Sequence, residues 1–278
     1  MAVLLMYPIL AVALVSMEHM LCKGNYTSVW NGYGAIDYVI ARTAKSPARQ
    51  RVLVPWLVWA TEWLLGGKDD PPERLPIYLF WKWALMSAAL MVAGHFFSHA
   101  VALGMALYWA LTFQYDYWSV YGECLAFLLA LTGNVWLACA GALVGVASKP
   151  TFILLPFVFL FSGGGWWTVL VGAVCIIGKL GIYWYQGQGE GSKFRKPMNV
   201  SPHYIFAHYK DKIRWYVMGW AVIAVSLVAL AHWQYMPSPF RETAWVLPVV
   251  CGMGFFGAMV YEPRVFALNA LWIASLLV

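Results

Sequence analysis

Apolar segments follow one another along the whole of this chain, and the polar stretches between them are too short to form a soluble domain. Of its 278 residues, 62% are apolar and only 11% are charged, whereas soluble domains carry about 25% charged residues. A backbone in lipid must satisfy its own hydrogen bonds, so apolar segments of this kind fold as helices. At about 20 residues per crossing, the sequence predicts one all-α transmembrane domain over residues 1–278, with about eight transmembrane helices.

Prolines, glycines and charged residues indicate where these helices begin and end. The first helix is expected over residues 1–17. The run 52–65 is interrupted by Glu62 and is short for a crossing, so we expect an interfacial or re-entrant helix there. Residues 75–113 are long enough for two helices with a break near His95–His99. Further helices are expected at 120–131, 135–147, 151–161, 166–185, 213–233, 244–261 and 265–278.

Two polar loops, 18–50 and 186–212, hold most of the net charge of +6. A basic segment beside a membrane marks the cytoplasmic side or contacts anionic lipid heads, so membrane lipids are expected partners. Neither loop carries a recognisable nucleic-acid-binding module, and we expect no nucleic-acid partner. The five cysteines are scattered without the spacing of a zinc site or a disulfide framework, which makes them small core residues.

Two lysines lie inside apolar runs, where an unpaired ammonium group is expensive. Lys82 is only seven residues from the start of its run at Leu75, so its side chain is expected to reach the membrane surface. Lys179 is more central in its run and would need Glu123, Asp116 or a lipid phosphate as its partner.

His95 and His99 are spaced so that their rings would lie on one face of a helix, an arrangement that can chelate a metal ion. No carboxylate set for a non-haem metal lies nearby in the sequence. Ordinary interfacial histidines are the simpler interpretation, and these two residues are weak candidates for a metal site.

Several short motifs resemble those of the multi-pass membrane glycosyltransferases of the C-type fold. The first loop carries an acidic residue, Asp37, followed by Arg49 to Pro55 (RQRVLVP), similar to the segment that opens a short helix in that family. Asp116 precedes an apolar run at Glu123, and the run SKPT ends at residue 151 ahead of Leu-Leu-Pro. Residues 261–266 (YEPRVF) resemble a late acidic and basic motif of the family. The resemblance covers most of the chain in outline, and the chain is shorter than typical members.

The resemblance implies transfer of a sugar from a polyprenyl-phosphate donor to an acceptor hydroxyl at the outer face of a membrane, in bacteria the inner membrane. Asp37 would be the catalytic general base. The lipid phosphate would be bound by Arg49, Arg51, Lys149 and Arg264, with Asp116, Glu123 and Glu262 as supporting acidic residues. The lipid-linked sugar is the expected donor, no cofactor is certain, and a divalent metal ion is compatible with the chemistry.

Each of these residues also has an ordinary structural explanation. Asp37 would then be an interfacial residue beside Arg42, Arg49 and Arg51 would anchor at the interface by snorkelling, and Glu262 and Arg264 would form a local ion pair. The positive balance of residues 18–51 argues mildly against an external site. The alternative function is a non-catalytic membrane subunit that scaffolds a larger complex with other membrane subunits, associated with a cofactor or pigment.

Overall fold

A computed structural model of the protein describes residues 2–22, 36–42, 51–65, 71–112, 119–186, 213–257 and 263–278. Every regular element in these ranges is a helix, which confirms the predicted all-α fold class for this part of the chain. The predicted polar loop 186–212 lies outside the described residues except for Gln186, as does most of 18–50.

Twelve α-helices are described, in the following order: α1 (Ala2–Cys22), α2 (Ile36–Ile40), α3 (Leu53–Leu65), α4 (Pro71–Phe96), α5 (His99–Thr112), α6 (Ser119–Leu131), α7 (Val135–Ser148), α8 (Leu155–Phe159), α9 (Thr168–Gln186), α10 (Ile213–Ala231), α11 (Val246–Gly257) and α12 (Ala270–Ser275). Short 3-10 segments and one π turn join or precede several of them.

The core is organised around α6. All of its residues except Leu129 are buried, and it packs against α4, α7 and α8. Helix α1 runs antiparallel to α4, since Tyr7 lies against Gly94 and Glu18 against Lys82. A helix that is buried on all sides indicates a bundle with other helices arranged around it.

The bundle has two distinct ends. At the charged end, α1, α7 and α9 finish and α4 and α6 begin, and this end is defined by Glu18, Lys82, Glu123 and Lys149. At the opposite end lie the α4–α5 break, the α6–α7 turn and the kink before α9. Helix α3 runs along the charged end, because its first residue, Leu53, meets α6 and α7 while Glu62 pairs with the start of α4.

Many predicted boundaries agree with the structure, but several do not. The helix predicted from residue 75 begins at Pro71, and the helix predicted at 265–278 is a 3-10 segment, Pro263–Asn269, followed by a six-residue α-helix, Ala270–Ser275. The helix at 52–65, the break near 95–99 and the turn at 133–134 are confirmed. The first helix, however, continues to Cys22 instead of ending at residue 17, which places Glu18 inside the bundle. Residues 151–167 form a succession of 3-10, α and π turns with a kink at Gly163, whose φ of +94° leaves the helical region.

Within the described residues, two helical stretches are long and apolar enough to cross a membrane, Arg74–Phe96 and Thr151–Gln186. The expected number of about eight crossings therefore stays a prediction. Helix α9 nevertheless has the polarity of a membrane helix, because Lys179 and Gln186 face inward while the residues exposed at its surface include Val169, Ile176, Ile177 and Leu180. Buried polar groups together with an apolar exterior are typical of proteins surrounded by lipid.

Candidate functional site

The charged end contains a buried ion pair between α1 and α4. Lys82 is fully buried, and its Nζ lies 2.8 Å from Oε2 of Glu18. The hydroxyl of Tyr121, at the start of α6, donates to the same Glu18 oxygen at 2.7 Å. The expectation that Lys82 reaches the membrane surface is wrong, because the extension of α1 beyond residue 17 brings a carboxylate to it.

A second buried ion pair joins α6 to the end of α7. Nζ of Lys149 donates to Oε2 of Glu123 at 2.6 Å, and the Thr151 hydroxyl donates to the other oxygen of the same carboxylate. Lys149 ends α7 in an extended conformation, with φ −149° and ψ 158°, as expected for a residue that precedes a proline. Pro150 therefore ends α7 at Lys149, whose side chain binds Glu123 of α6.

Gly122 allows the segment that carries Arg51 to approach the end of α7. A Cβ atom at Gly122 would lie 2.3 Å from Oγ of Ser148 and 2.8 Å from Cδ2 of Leu53, so α3, α6 and α7 meet at this residue only because it has no side chain. Leu53 is two residues after Arg51, and Ser148 directly precedes Lys149. Arg51 and Lys149, two of the predicted phosphate ligands, are far apart in sequence, but their near neighbours Leu53 and Ser148 both meet Gly122.

Lys179 adds a third cation. It belongs to the buried stripe of α9, and its Nζ lies 5.4 Å from the centroid of the Phe152 ring and 4.9 Å from that of Tyr183. The guanidinium of Arg51 is close enough for the two cations to repel each other. Arg51, Lys149 and Lys179 therefore share this end with the carboxylate of Glu123, an arrangement that favours an anionic ligand.

The helix that carries Asp37 is attached to the same region. Nε2 of Gln186 donates to the carbonyl oxygen of Val39 at 3.2 Å, and the Arg42 guanidinium stacks on the Tyr185 ring at 3.9 Å from its centroid. Both contacts fasten α2 and the residues after it to the end of α9. The side chain of Asp37 itself lies outside the described residues.

The remaining predicted site residues are placed only in part. Arg264 lies in the 3-10 segment Pro263–Asn269, and its side chain is outside the described residues. Arg49, Asp116 and Glu262 also lie outside the described part of the chain. Of the predicted set, the structure brings Arg51, Lys149 and Glu123 together, and the roles of the other residues stay predictions.

His95 and His99 do not share a helix face. Helix α4 ends at Phe96 and α5 begins at His99, so the premise of an uninterrupted helix through both residues is wrong. Nδ1 of His99 is instead hydrogen-bonded to the Tyr7 hydroxyl at 2.5 Å. In the described ranges, no group of three or more metal-ligating side chains is found.

The opposite end holds a pocket of a different character. It has a volume of about 220 Å³ and lies between the α4–α5 break, the end of α6 and the segment after α10. Its lining is mainly apolar, with Phe97, Leu131 and Phe240 as examples, and it includes the hydroxyls of Thr132 and Ser238. The described lining contains no charged residue, so this pocket lacks the groups that the predicted phosphate chemistry requires.

Three residues that matter at the charged end were missing from the predicted site. The sequence places Glu18 in the loop 18–50 and Lys82 at the membrane surface, and it predicts for Lys179 a partner in Glu123, Asp116 or a lipid phosphate without assigning the residue to the site. A signal for the first two exists in the sequence, since a glutamate at the end of one apolar run and a lysine inside another are natural partners. The comparisons with protein-family models, with curated proteins and with solved structures gave no match.

Proposed function

We propose that this protein is an integral membrane glycosyltransferase that uses a polyprenyl-phosphate sugar donor, with its site at the charged end of the bundle. The observation that supports this proposal most directly is the meeting of Leu53 and Ser148 at Gly122, because these two residues lie close to Arg51 and Lys149 in the sequence. About eight transmembrane helices in a single domain, and the bacterial inner membrane as its location, are parts of the same proposal.

Lipid solvation is supported by the distribution of polarity. Large apolar side chains cover the outside of the described helices, for example Trp63, Val169, Ile177 and Trp184, each more than two-thirds exposed. Exposed apolar surface of this extent marks a surface that contacts lipid or another protein. The buried ion pairs lie inside this apolar exterior, where membrane proteins keep their functional charges.

The proposed reaction gives a role to Asp37, to the two cations Arg51 and Lys149, and to the partners of Lys149. An acceptor hydroxyl oxygen attacks the anomeric carbon of the sugar, the bond from that carbon to the phosphate oxygen breaks, and the polyprenyl phosphate leaves with the electron pair. Asp37 takes the hydroxyl proton. Arg51 and Lys149 hold the departing phosphate and offset its charge, while Glu123 and Thr151 keep Lys149 in position.

The test is a transfer assay with a polyprenyl-phosphate sugar in detergent. We expect Asp37→Asn to lower the transfer rate by about 10²- to 10⁴-fold, the usual contribution of a general base, and Arg51→Ala to lower it by weakening contact with the phosphate. Arg241→Ala, at an exposed ion pair near the opposite end, is the matched control and should keep full activity. Equal rates for Asp37→Asn and the unaltered protein would refute the assignment of the base.

One observation favours the alternative, a non-catalytic membrane subunit. Lys149 is already neutralised by Glu123, and Thr151 satisfies the second carboxylate oxygen, as expected for an ion pair that only joins α6 to α7. A subunit of this kind would be recovered from mild detergent with a stoichiometric membrane partner and without polyprenyl lipid. Recovery of polyprenyl phosphate with the isolated chain would instead favour the transferase.

A further inference from the structure

Three lysines are buried in the described part of the charged end, and they differ in their partners. Lys82 and Lys149 each lie within 3 Å of a carboxylate oxygen. Lys179 is 8% exposed, and no carboxylate among the described residues lies within ion-pair distance of its Nζ. Its neighbours are the two aromatic faces of Phe152 and Tyr183.

Aromatic rings alone do not offset the burial of an ammonium group. Cation–π contacts recover only a small part of the penalty for removing an ion from water. The nearby Arg51 adds repulsion. Among the described residues, the buried stripe of α9 therefore has no anion at this position, although the two other buried lysines of the charged end each have one.

We propose that Lys179, together with Arg51, binds the phosphate group of an anionic ligand at the charged end. A phosphate monoester carries up to two negative charges and several acceptor oxygens, which matches two neighbouring cations that differ in shape. Lys149 lies one turn before Phe152 and is paired with Glu123, and it forms the boundary of the site on the side of α7.

A second observation on the same stripe indicates what else the ligand carries. Gln186 follows Lys179 by seven residues on the buried face of α9, a distance of about 10 Å along the axis. Its Nε2 donates to the Val39 carbonyl, which fixes the orientation of the amide, and no donor in the described part of the chain reaches its buried Oε1. An acceptor left open in this way suits a hydroxyl group of the ligand, next to the helix that carries Asp37.

This inference deepens the proposed site but does not require sugar transfer. Any ligand with a phosphate monoester that enters the charged end would satisfy it, including a carrier lipid phosphate without a sugar. Phosphate binding without transfer would therefore overturn only the proposed reaction. Transfer that proceeds unchanged in a variant without the Lys179 ammonium would overturn only this inference.

The experiment compares two variants of Lys179 in the full chain. Lys179→Met removes the charge and keeps the length of the side chain, and Lys179→Arg keeps the charge. Leu180→Met, on the exposed face of the same helix, is the matched control. Native mass spectrometry measures retention of polyprenyl phosphate in phosphatidylcholine nanodiscs, and thermal unfolding in detergent with added inorganic phosphate tests the free anion. Phosphatidylglycerol nanodiscs test whether any anionic lipid suffices.

We expect Lys179→Met to weaken phosphate binding by about tenfold or more, the loss that corresponds to one charge-assisted hydrogen bond. Lys179→Arg and Leu180→Met should bind as the unaltered protein does. Without phosphate, Lys179→Met should unfold at a higher temperature, because an unpaired buried charge has been removed. If inorganic phosphate raises the unfolding temperature but polyprenyl phosphate is not retained, the ligand is the free anion. If polyprenyl phosphate is retained but inorganic phosphate has no effect, the ligand is the lipid.

Three results would overturn the proposal. Phosphate affinity that is the same in Lys179→Met as in the unaltered protein would show that the ammonium does not contact the anion. A lower unfolding temperature of Lys179→Met in the absence of any phosphate would show that Lys179 is satisfied within the protein. Equal retention of phosphatidylglycerol and polyprenyl phosphate would also contradict a phosphate monoester as the specific ligand.

Discussion

Helices are connected at both ends of the bundle, but the polar contacts are exposed at the opposite end and buried at the charged end. At the opposite end, the α6–α7 turn is closed by an exposed asparagine cap, and the described ion pair Arg241–Glu242 is exposed. At the charged end, Glu18–Lys82, Glu62–Arg74 and Glu123–Lys149 are all buried. Turns and caps are sufficient to connect helices, so the buried charges are not needed for connection alone.

This difference indicates that the buried ion pairs of the charged end are kept for a reason other than stability. Buried ion pairs are often no more stabilising than apolar residues of the same size, yet breaking one is strongly destabilising. Three such pairs lie at this end, together with Lys179 and Arg51. Their charges create an electrostatic field that favours an anionic ligand. Four substitutions test this contrast, beginning with the one that should destabilise the protein most.

Breaking the fully buried pair should have the largest effect. Lys82→Met leaves the Glu18 carboxylate buried without its cation and should lower the free energy of unfolding by about 3–5 kcal/mol. Thermal unfolding in detergent, followed by tryptophan fluorescence, measures the change. The double variant Glu18→Gln with Lys82→Met removes both charges, keeps an acceptor for Tyr121 and should recover most of the loss. A double variant as unstable as the single one would contradict this account.

Glu123→Gln should have the next largest effect. It removes the charge that Lys149 and Thr151 share, and the loss of hydrogen bonds to a charged group predicts a decrease of about 1.5–3 kcal/mol. Added phosphate should stabilise this variant more than the unaltered protein, because the Lys149 ammonium becomes available to an anion. Unfolding temperatures with and without phosphate measure both effects, and the absence of a larger phosphate shift would argue that Lys149 does not reach the ligand.

A cap at the opposite end should matter less. Oδ1 of Asn134 accepts from the backbone N–H groups of Trp136 and Leu137 at 3.0 and 3.2 Å, which caps the start of α7. Asn134→Ala should lower the free energy of unfolding by about 1 kcal/mol, and Asn134→Asp, which keeps the accepting oxygen, should not. Phosphate binding should be the same in both variants. A loss greater than that of Lys82→Met would remove the contrast between the ends.

The exposed pair at the opposite end should have the smallest effect. Arg241 donates to Glu242 at 3.0 Å, and exposed pairs contribute about 0.2–1 kcal/mol. Burial raises the pKa of Glu242, but hydrogen bonds from its backbone N–H and from Arg241 outweigh this, and the resulting pKa lies below its ordinary value.

The sign of the pH dependence follows from that direction. A carboxyl group with a depressed folded pKa stabilises the fold above its ordinary pKa, and the contribution is lost as the pH falls through the folded pKa. Arg241→Ala should therefore reduce the loss of stability in acid, measured as unfolding temperature against pH. An unchanged acid profile would show that the pair contributes nothing.

Local signals predicted the helices well. The break at His95–His99 and the turn before Asn134 depend on residues within one or two helical turns, and the short length of the 52–65 run was visible directly. The kink at Gly163 was only partly predicted, because three successive glycines indicate an interruption but not the π and 3-10 turns that surround it. Such turns depend on packing against neighbouring helices as well as on local propensity.

The charged end was harder to predict because its contacts are distant in sequence. Glu18 was placed in a loop since a charge at the end of an apolar run is usually a boundary, and only its pairing with Lys82 explains why the helix continues. Glu123 and Lys149 were identified through a resemblance, and the sequence could not show that they bind each other. Lys179 was recognised as needing an anion, and the structure adds that its described neighbours do not supply one.

The Glu18–Lys82 pair also constrains the order in which the protein is made. Synthesis proceeds from the N-terminus, so Glu18 leaves the ribosome well before Lys82 and has no cation in α4 to receive it. A carboxylate near the end of an apolar helix is unfavourable in lipid until its partner arrives. Helix α1 therefore cannot reach its final position until α4 has emerged, and Tyr121 on α6 completes the arrangement later still.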